Sequence, residues 1–153
     1  MISVISIACR FIQLGIEQDK YVTPMKLQKL IYLAHGIHLA RFNEPLIREE
    51  VEAWSYGPVI RAVYDTFKYW GTKPITEVPE TQISDIDILT DDAEQAVLAA
   101  WEIGKNMTGM QLSNWSHSEG SPWDKTYKGF GKRKISRETI SEYFRETLRI
   151  AHE

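Results

Sequence analysis

Thiol chemistry is almost missing from this chain, which has one cysteine, Cys9, in 153 residues. A single cysteine permits no internal disulfide and no cysteine-rich zinc site, which suits a reducing compartment. There is no apolar run of membrane-spanning length. The apolar start, Met1 to Ala8, is short, has no basic stretch before it and gives way to Arg10, so it reads as a first helix and not as a signal peptide or anchor. The cytoplasm is the expected address. Positive charge is not in excess either: 18 Lys and Arg face 21 Asp and Glu, a net charge of −3. The chain as a whole is therefore no electrostatic binder of nucleic acid. It also lacks a Gly-x-Gly-x-x-Gly, a phosphate loop ending in Gly-Lys-Ser/Thr and a Gly-x-Ser-x-Gly elbow, and with them the commonest nucleotide-binding and hydrolase signatures.

What is present is ordinary globular composition, 43% hydrophobic and 25% charged, in a length that suits one domain over residues 1–153. Five tryptophans and seven tyrosines exceed what a core of this size needs. Some of these amphipathic rings are expected at a cleft or partner surface, where they contribute most contact energy.

The apolar spacing is helical over most of the chain. Val4, Ile7, Ala8, Phe11 and Leu14 make a first stripe over residues 3–14, closed by Gly15. Thr23-Pro24 is a start signal, a hydroxyl to cap free N–H groups followed by proline where no donor is missed. The helix after it carries Leu27, Leu30, Ile31, Ala34 and Ile37 on one side, with Leu33 and Leu39 elsewhere. Apolar residues on several faces predict a central, buried helix. Asn43-Glu44-Pro45 breaks it, and Leu46 to Trp54 reads as a two-stranded ribbon or an irregular segment. Gly57-Pro58 reads as the opening of a further helix with Val59, Val63, Phe67 and Trp70 inward, and residues 72–89 as a surface connection. Thr90-Asp91-Asp92 and the box Thr108-Gly109-Met110-Gln111 start two more helices. Gly120-Ser121-Pro122 ends the second, and Ser136 caps a last one with the stripe Ile140, Tyr143, Phe144, Thr147 and Ala151. The expected fold is mainly α, a bundle of about six helices with one small ribbon.

Few residues suggest chemistry. His35 and His38 have metal-ligand spacing on a helix but no acidic companion in the His-Glu-x-x-His manner, which favours structural roles, one ring partly buried and one at the surface. Cys9 on an apolar face reads as a packed thiol. Ser113, Ser116, Ser118, His117 and Glu119 crowd one short helix and cannot all converge as a triad. Neither a catalytic residue nor a cofactor site is expected. Lys26 and Lys29 stand in the first turns of their helix, where the dipole disfavours cations by about 0.3–1 kcal/mol each. Glu49, Glu50 and Glu52 are the favoured internal partners, an acidic surface on another protein the alternative. From Lys125 to Arg137 every charge is basic, with Tyr127 and Phe130 between the cations, a composition open to three readings: solvated loop, protein contact or nucleic-acid grip.

With those residues in view, the chain resembles the Panacea-domain antitoxins. The likeness lies in Thr23, Lys26, Leu27, Gln28, Lys29, Leu30, Tyr32 and Ala34, then Glu52, Ala53, Trp54, Gly57, Pro58 and Val59 with Tyr64, and finally Leu112, Ser113, His117, Pro122 and Trp123. The pieces keep the family's order over roughly residues 3–150. The resemblance implies a mainly helical protein encoded beside a toxin gene in bacteria or prophages. It would neutralise that toxin by direct protein contact, or, as some relatives do, act as an adaptor that delivers the toxin to a protease. It implies no catalytic residue, and the lack of a separate DNA-binding region weighs against self-repression. A small nucleic-acid-binding regulator working through Lys125–Arg137 is the remaining alternative. For the contact itself, Trp54, Tyr56 and Tyr64 are the candidate anchors and Lys26 and Lys29 the candidate charges. Leu27, Gln28, Leu30, Tyr32, Gly57, Pro58, Val59, His117, Pro122 and Trp123 are expected to hold the fold.

Overall fold

The computed structural model describes residues 1–79 and 87–152, with side chains through 148. Thr23 accepts a hydrogen bond from the Lys26 N–H and Pro24 takes the first helical position, so α2 (Pro24–Phe42) starts as its sequence predicts. Asn43, in the left-handed region at φ 56°, ends it. All fourteen residues from Lys26 to Leu39 are buried. Around α2 pack α1 (Val4–Glu17), α3 (Arg61–Phe67), α4 (Asp91–Gly104), α5 (Gly109–Ser116) and α7 (Arg137–His152), so it is the axis of the bundle. The expected inward stripe of α1 holds, with Val4, Ile7, Ala8, Phe11 and Leu14 all buried, and α4 likewise buries Val97, Ala100, Trp101 and Gly104.

Side-chain caps mark the starts of α4, α5 and α7. Thr90 accepts from Ala93 N–H at the start of α4, and Thr108 and Gln111 close the predicted capping box on α5. Ser136 accepts from Thr139 N–H at the start of α7, whose Ile140 and Phe144 are buried and whose Tyr143 and Thr147 are half-buried. Ala151, the last residue of the predicted stripe, lies outside the described side chains. A seventh helix among the described residues, α6 (Pro122–Thr126), was not expected. Ser121-Pro122 repeats the Thr23-Pro24 signal, with Ser121 accepting from Asp124 N–H, so the segment that stops α5 also starts α6.

Two segments depart from expectation. Gly57-Pro58 does not open a helix. Gly57–Val59 is strand β2, antiparallel to β1 (Val51–Trp54) with Ala53 opposite Pro58. On the other side of β1 lies β3 (Arg133–Ile135), with Glu52 opposite Lys134, so the expected ribbon is a three-stranded sheet in the order β2-β1-β3. The reason is that the backbone groups after Gly57 find partners across the fold: Lys29 takes the Pro58 carbonyl and Gln28 takes both the N–H and the carbonyl of Ile60. Only from Arg61 does the chain wind into α3, which buries Val63 and Phe67. A 3₁₀ turn, Lys68–Trp70, extends it. The connection after residue 72 is not all surface either, because Ile75 is fully buried and bridges to Val22. Residues 80–86 of that predicted connection lie outside the described residues.

His35 and His38 are both buried, where one surface ring was expected. His35 Nδ1 accepts from Leu46 N–H at 3.3 Å, so that nitrogen carries no proton. Burial, with Arg137 and His38 adding repulsion, pulls the ring from 6.5 to about 3. The folded pKa is below the unfolded one, so the unfolded state binds more protons between pH 6.5 and 3. Stability is therefore full above pH 6.5 and falls as the pH drops below it. Urea midpoints are expected to show ~2 kcal/mol lost from pH 7 to pH 5 through this one ring. His35→Gln, which keeps an acceptor for Leu46, should flatten that slope; an unchanged slope would assign the acid sensitivity elsewhere.

A candidate partner-binding groove

Where the β1–β2 turn meets the start of α2 and one side of α3, the surface opens into a groove of about 310 Å³. Trp54, Tyr56, Val59, Val63 and Tyr64 line it, with Gln28 and Lys29 from α2 beneath. The local sequence dictates this shape. Gly57 holds φ at +117°, and a Cβ there would lie 3.0 Å from Ser116 Oγ and 3.3 Å from Lys29 Nζ. Only glycine fits such a turn so close to its neighbours. Ser113 Oγ donates to the Tyr56 carbonyl, which ties the turn to α5. The backbone is held, while the Tyr56 ring is 73% exposed and Tyr64 44%.

Trp54 is half-buried at the centre of the cluster. Its indole N–H donates to Glu52, and its carbonyl accepts from the Trp123 indole N–H. The Tyr64 ring lies 4.9 Å away. Three cations surround the pair: Lys132 Nζ at 4.2 Å and the Arg61 guanidinium at 5.5 Å from the Trp54 ring, and Lys68 Nζ at 5.8 Å from Tyr64. Arg61 also pairs with Glu52 at 3.0 Å.

The two lysines of α2 do not pair with Glu49, Glu50 or Glu52 as expected. Both ammonium groups turn to backbone carbonyls at 2.8 Å: Lys26 to Lys105 at the end of α4, Lys29 to Pro58. A helix C-terminus offers unpaired carbonyls and the negative end of its dipole, so α4 answers the Lys26 charge without a carboxylate. Burial lowers the pKa of Lys26, with Lys20 adding repulsion, and burial alone brings Lys29 down to about 8. Lys29 lines the groove and Lys26 does not. Of the five predicted contact residues, the fold thus gathers Lys29, Trp54, Tyr56 and Tyr64 into one place and draws Lys26 away to α4.

The other motif residues join elements together. Leu27 and Leu30 are core, and the Tyr32 ring packs on Trp115 and Phe144. Gln28, Gly57, Pro58 and Val59 seat β2 on α2. Pro122 is buried at the start of α6, and His117 meets the Trp123 ring edge-on at 5.3 Å. The serines around His117 donate to carbonyls: Ser113 to Tyr56, Ser116 to Ser113 and Ser118 to Trp115. Cys9 is buried, and desolvation pushes its thiol up to about 11, which makes it a poor nucleophile. No group of three metal-ligating side chains occurs among the described residues, and none of their helices is long and apolar enough to cross a membrane. Of the Lys125–Arg137 segment, residues 133–135 join the sheet and Lys132 covers Trp54. Tyr127 stacks on Trp123, and Phe130 is exposed.

Sequence reasoning missed Arg61 and Lys68, and took Lys132 only as one cation of the basic segment Lys125–Arg137, without its place at Trp54. The first two were readable, since 61, 64 and 68 share one helical face. The place of Lys132 was not, because only the pairing of β3 with β1 brings it to Trp54.

Residues 27–124 match the family described as Antitoxin SocA-like, Panacea domain. The chain is also similar to Antitoxin SocA of Caulobacter vibrioides (strain NA1000 / CB15N), with 30% identity over 139 residues that cover 83% of this chain and 74% of that protein. No solved structure is matched.

Proposed function

Since the chain belongs to the SocA-like antitoxins of the Panacea-domain family, we propose that it neutralises a toxin protein by binding it directly, with the groove around Trp54 as the contact. The observation that carries this reading is the exposure of Tyr56 and Tyr64 beside a half-buried Trp54, all on backbone held by Gln28, Lys29 and Ser113. Large rings on backbone already fixed in place lose less entropy when a partner covers them than rings on a mobile loop would, and a few such residues can dominate a protein contact. No catalytic step is assigned; occlusion of the toxin suffices.

The test is to express the adjacent open reading frame with and without this chain and to purify through a tag on this chain. Growth arrest by the neighbour alone, rescue by this chain and a stoichiometric complex are the expected results. Rescue with protease-dependent loss of the neighbour and no complex would replace contact by delivery to a protease. In the complex, Trp54→Ala is expected to weaken binding by at least ~2 kcal/mol, about 30-fold in Kd. The melting curve should stay near that of the parent, because the bond from Trp123 goes to the backbone of residue 54. A large fall in melting temperature with unchanged affinity of the folded fraction would make Trp54 a core residue instead.

A further inference from the structure

We propose that the groove takes an acidic segment of the toxin, one apolar side chain entering between Trp54, Tyr56 and Tyr64 and carboxylates lying over Lys68 and Lys132. This rests on the contact reading above and adds the chemistry of the partner. The rim is positive although the chain carries a net −3. Arg61 is answered by Glu52, and Lys134 stands opposite the same Glu52 in the sheet. Among the described residues Lys68 has only Asp65, at 3.9 Å with both side chains more than half exposed, an arrangement of little energetic weight. Lys132 pairs with no carboxylate among the described residues and rests on the face of Trp54. Two cations, Lys68 in the groove lining near Tyr64 and Lys132 on the Trp54 ring, thus stand at the groove's ring pair with their charge largely unanswered among the described residues. An anionic partner meets complementary potential there, whereas a basic one is repelled.

The groove floor narrows the choice further. Both polar atoms of the Gln28 amide are engaged by Ile60, and Lys29 donates to Pro58. A nucleobase entering the groove would give up its edge hydrogen bonds to water and find few replacements; an apolar side chain gives up none. The buried Lys29 ammonium rejects a lysine or arginine anchor. The volume, about 310 Å³, is at the small end of ligand clefts, which run roughly 300–1,000 Å³. It therefore suits a side chain better than a cofactor.

The probes are fluorescein-labelled peptides titrated with the full chain: Asp-Glu-Leu-Phe-Glu-Asp, its basic counterpart Lys-Lys-Leu-Phe-Lys-Lys, and Asp-Glu-Ser-Ser-Glu-Asp, with a single-stranded RNA hexamer alongside. The first is expected to bind, and the other three to bind at least about tenfold more weakly. Raising the salt or introducing Lys68→Glu with Lys132→Glu should weaken the first by at least about tenfold too. Both lysines are surface residues, and matched melting curves will show that the double variant is folded. Preference for the basic peptide or the RNA, absence of binding by the acidic peptide, or indifference to the double variant would each overturn the inference. The double variant also separates this inference from the reading beneath it. If it still holds the co-purified toxin as tightly as the parent does, the acidic segment is wrong and direct contact stands. If the parent rescues growth without holding the toxin, direct contact falls and this inference falls with it.

Discussion

Replacing Gln28 by leucine is expected to destabilise the protein by roughly 2–4 kcal/mol, a sizeable part of the total for a domain of this size. The side-chain amide of Gln28 donates to the Ile60 carbonyl at 3.0 Å and accepts from the Ile60 N–H at 2.9 Å, copying the exchange between paired strands. Ile60 is fully buried at the junction between β2 and α3. Leucine is similar in size, so packing alone predicts little loss. What changes is that the Ile60 N–H is left buried without a partner, at roughly 1–3 kcal/mol, while its carbonyl loses one bond worth about 0.5–1.5 kcal/mol and keeps the Val63 and Tyr64 N–H groups of α3. Urea unfolding measures the total, and hydrogen exchange at the Ile60 amide locates it. A loss under about 1 kcal/mol with Ile60 still protected would show that the clamp contributes little. The groove should suffer as well, since Val59, Val63 and Tyr64 hang from the same junction.

Gly36→Ala is expected to destabilise by ~2 kcal/mol or more, against the usual sign for such a change in a helix. In a helix interior alanine is favoured over glycine by about 1 kcal/mol. Here the added Cβ would lie 2.2 Å from Cδ1 and Cε1 of the Phe144 ring, far inside contact distance. Phe144 is buried against Tyr32, Trp115 and Tyr143, so its ring has little room to retreat. Overpacking of this kind typically costs about 1–3 kcal/mol, and the severity of the overlap places it at or above the upper end, enough to outweigh the helical gain. The double variant Gly36→Ala with Phe144→Leu should recover part of the loss relative to additivity, as expected of two positions in contact. A Gly36→Ala protein more stable than its parent would mean that α7 shifts away from α2 easily.

Both positions show what could and could not be read in advance. Gln28 stood out as a motif residue expected to hold the fold, but nothing in its neighbourhood names Ile60 as its partner, 32 positions away. Gly57-Pro58 carries the usual start signal of a helix, yet it forms a strand. The signal is local, and in the fold the Pro58 carbonyl goes to Lys29 and the Ile60 N–H to Gln28, both from another element, so the helix starts only at Arg61. For the two lysines the sequence points to carboxylate partners, Glu49, Glu50 or Glu52, and that expectation fails. Their acceptors are carbonyls, and a carbonyl leaves no trace in residue type. At the site, Trp54, Tyr56, Tyr64 and Lys29 were legible as a group because they lie in two short motifs. The cations on the rim were not legible as a group, because they come from α3 and from the β3 side of the sheet.

By itself, then, the sequence determined most of the helices, though not α6 or the start of α3, the caps of α2, α4, α5 and α7, the central place of α2 and the family, all properties that depend on periodicity and on residues a few positions apart. The tertiary structure decided that the segment after Trp54 would be a strand, that Lys26 and Lys29 would part company, and that three cations would surround one pair of rings. These outcomes turn on which buried donor meets which acceptor across tens of residues. That pairing is settled by the collective need to leave no polar group dry, and it has no period for a single stretch of chain to display.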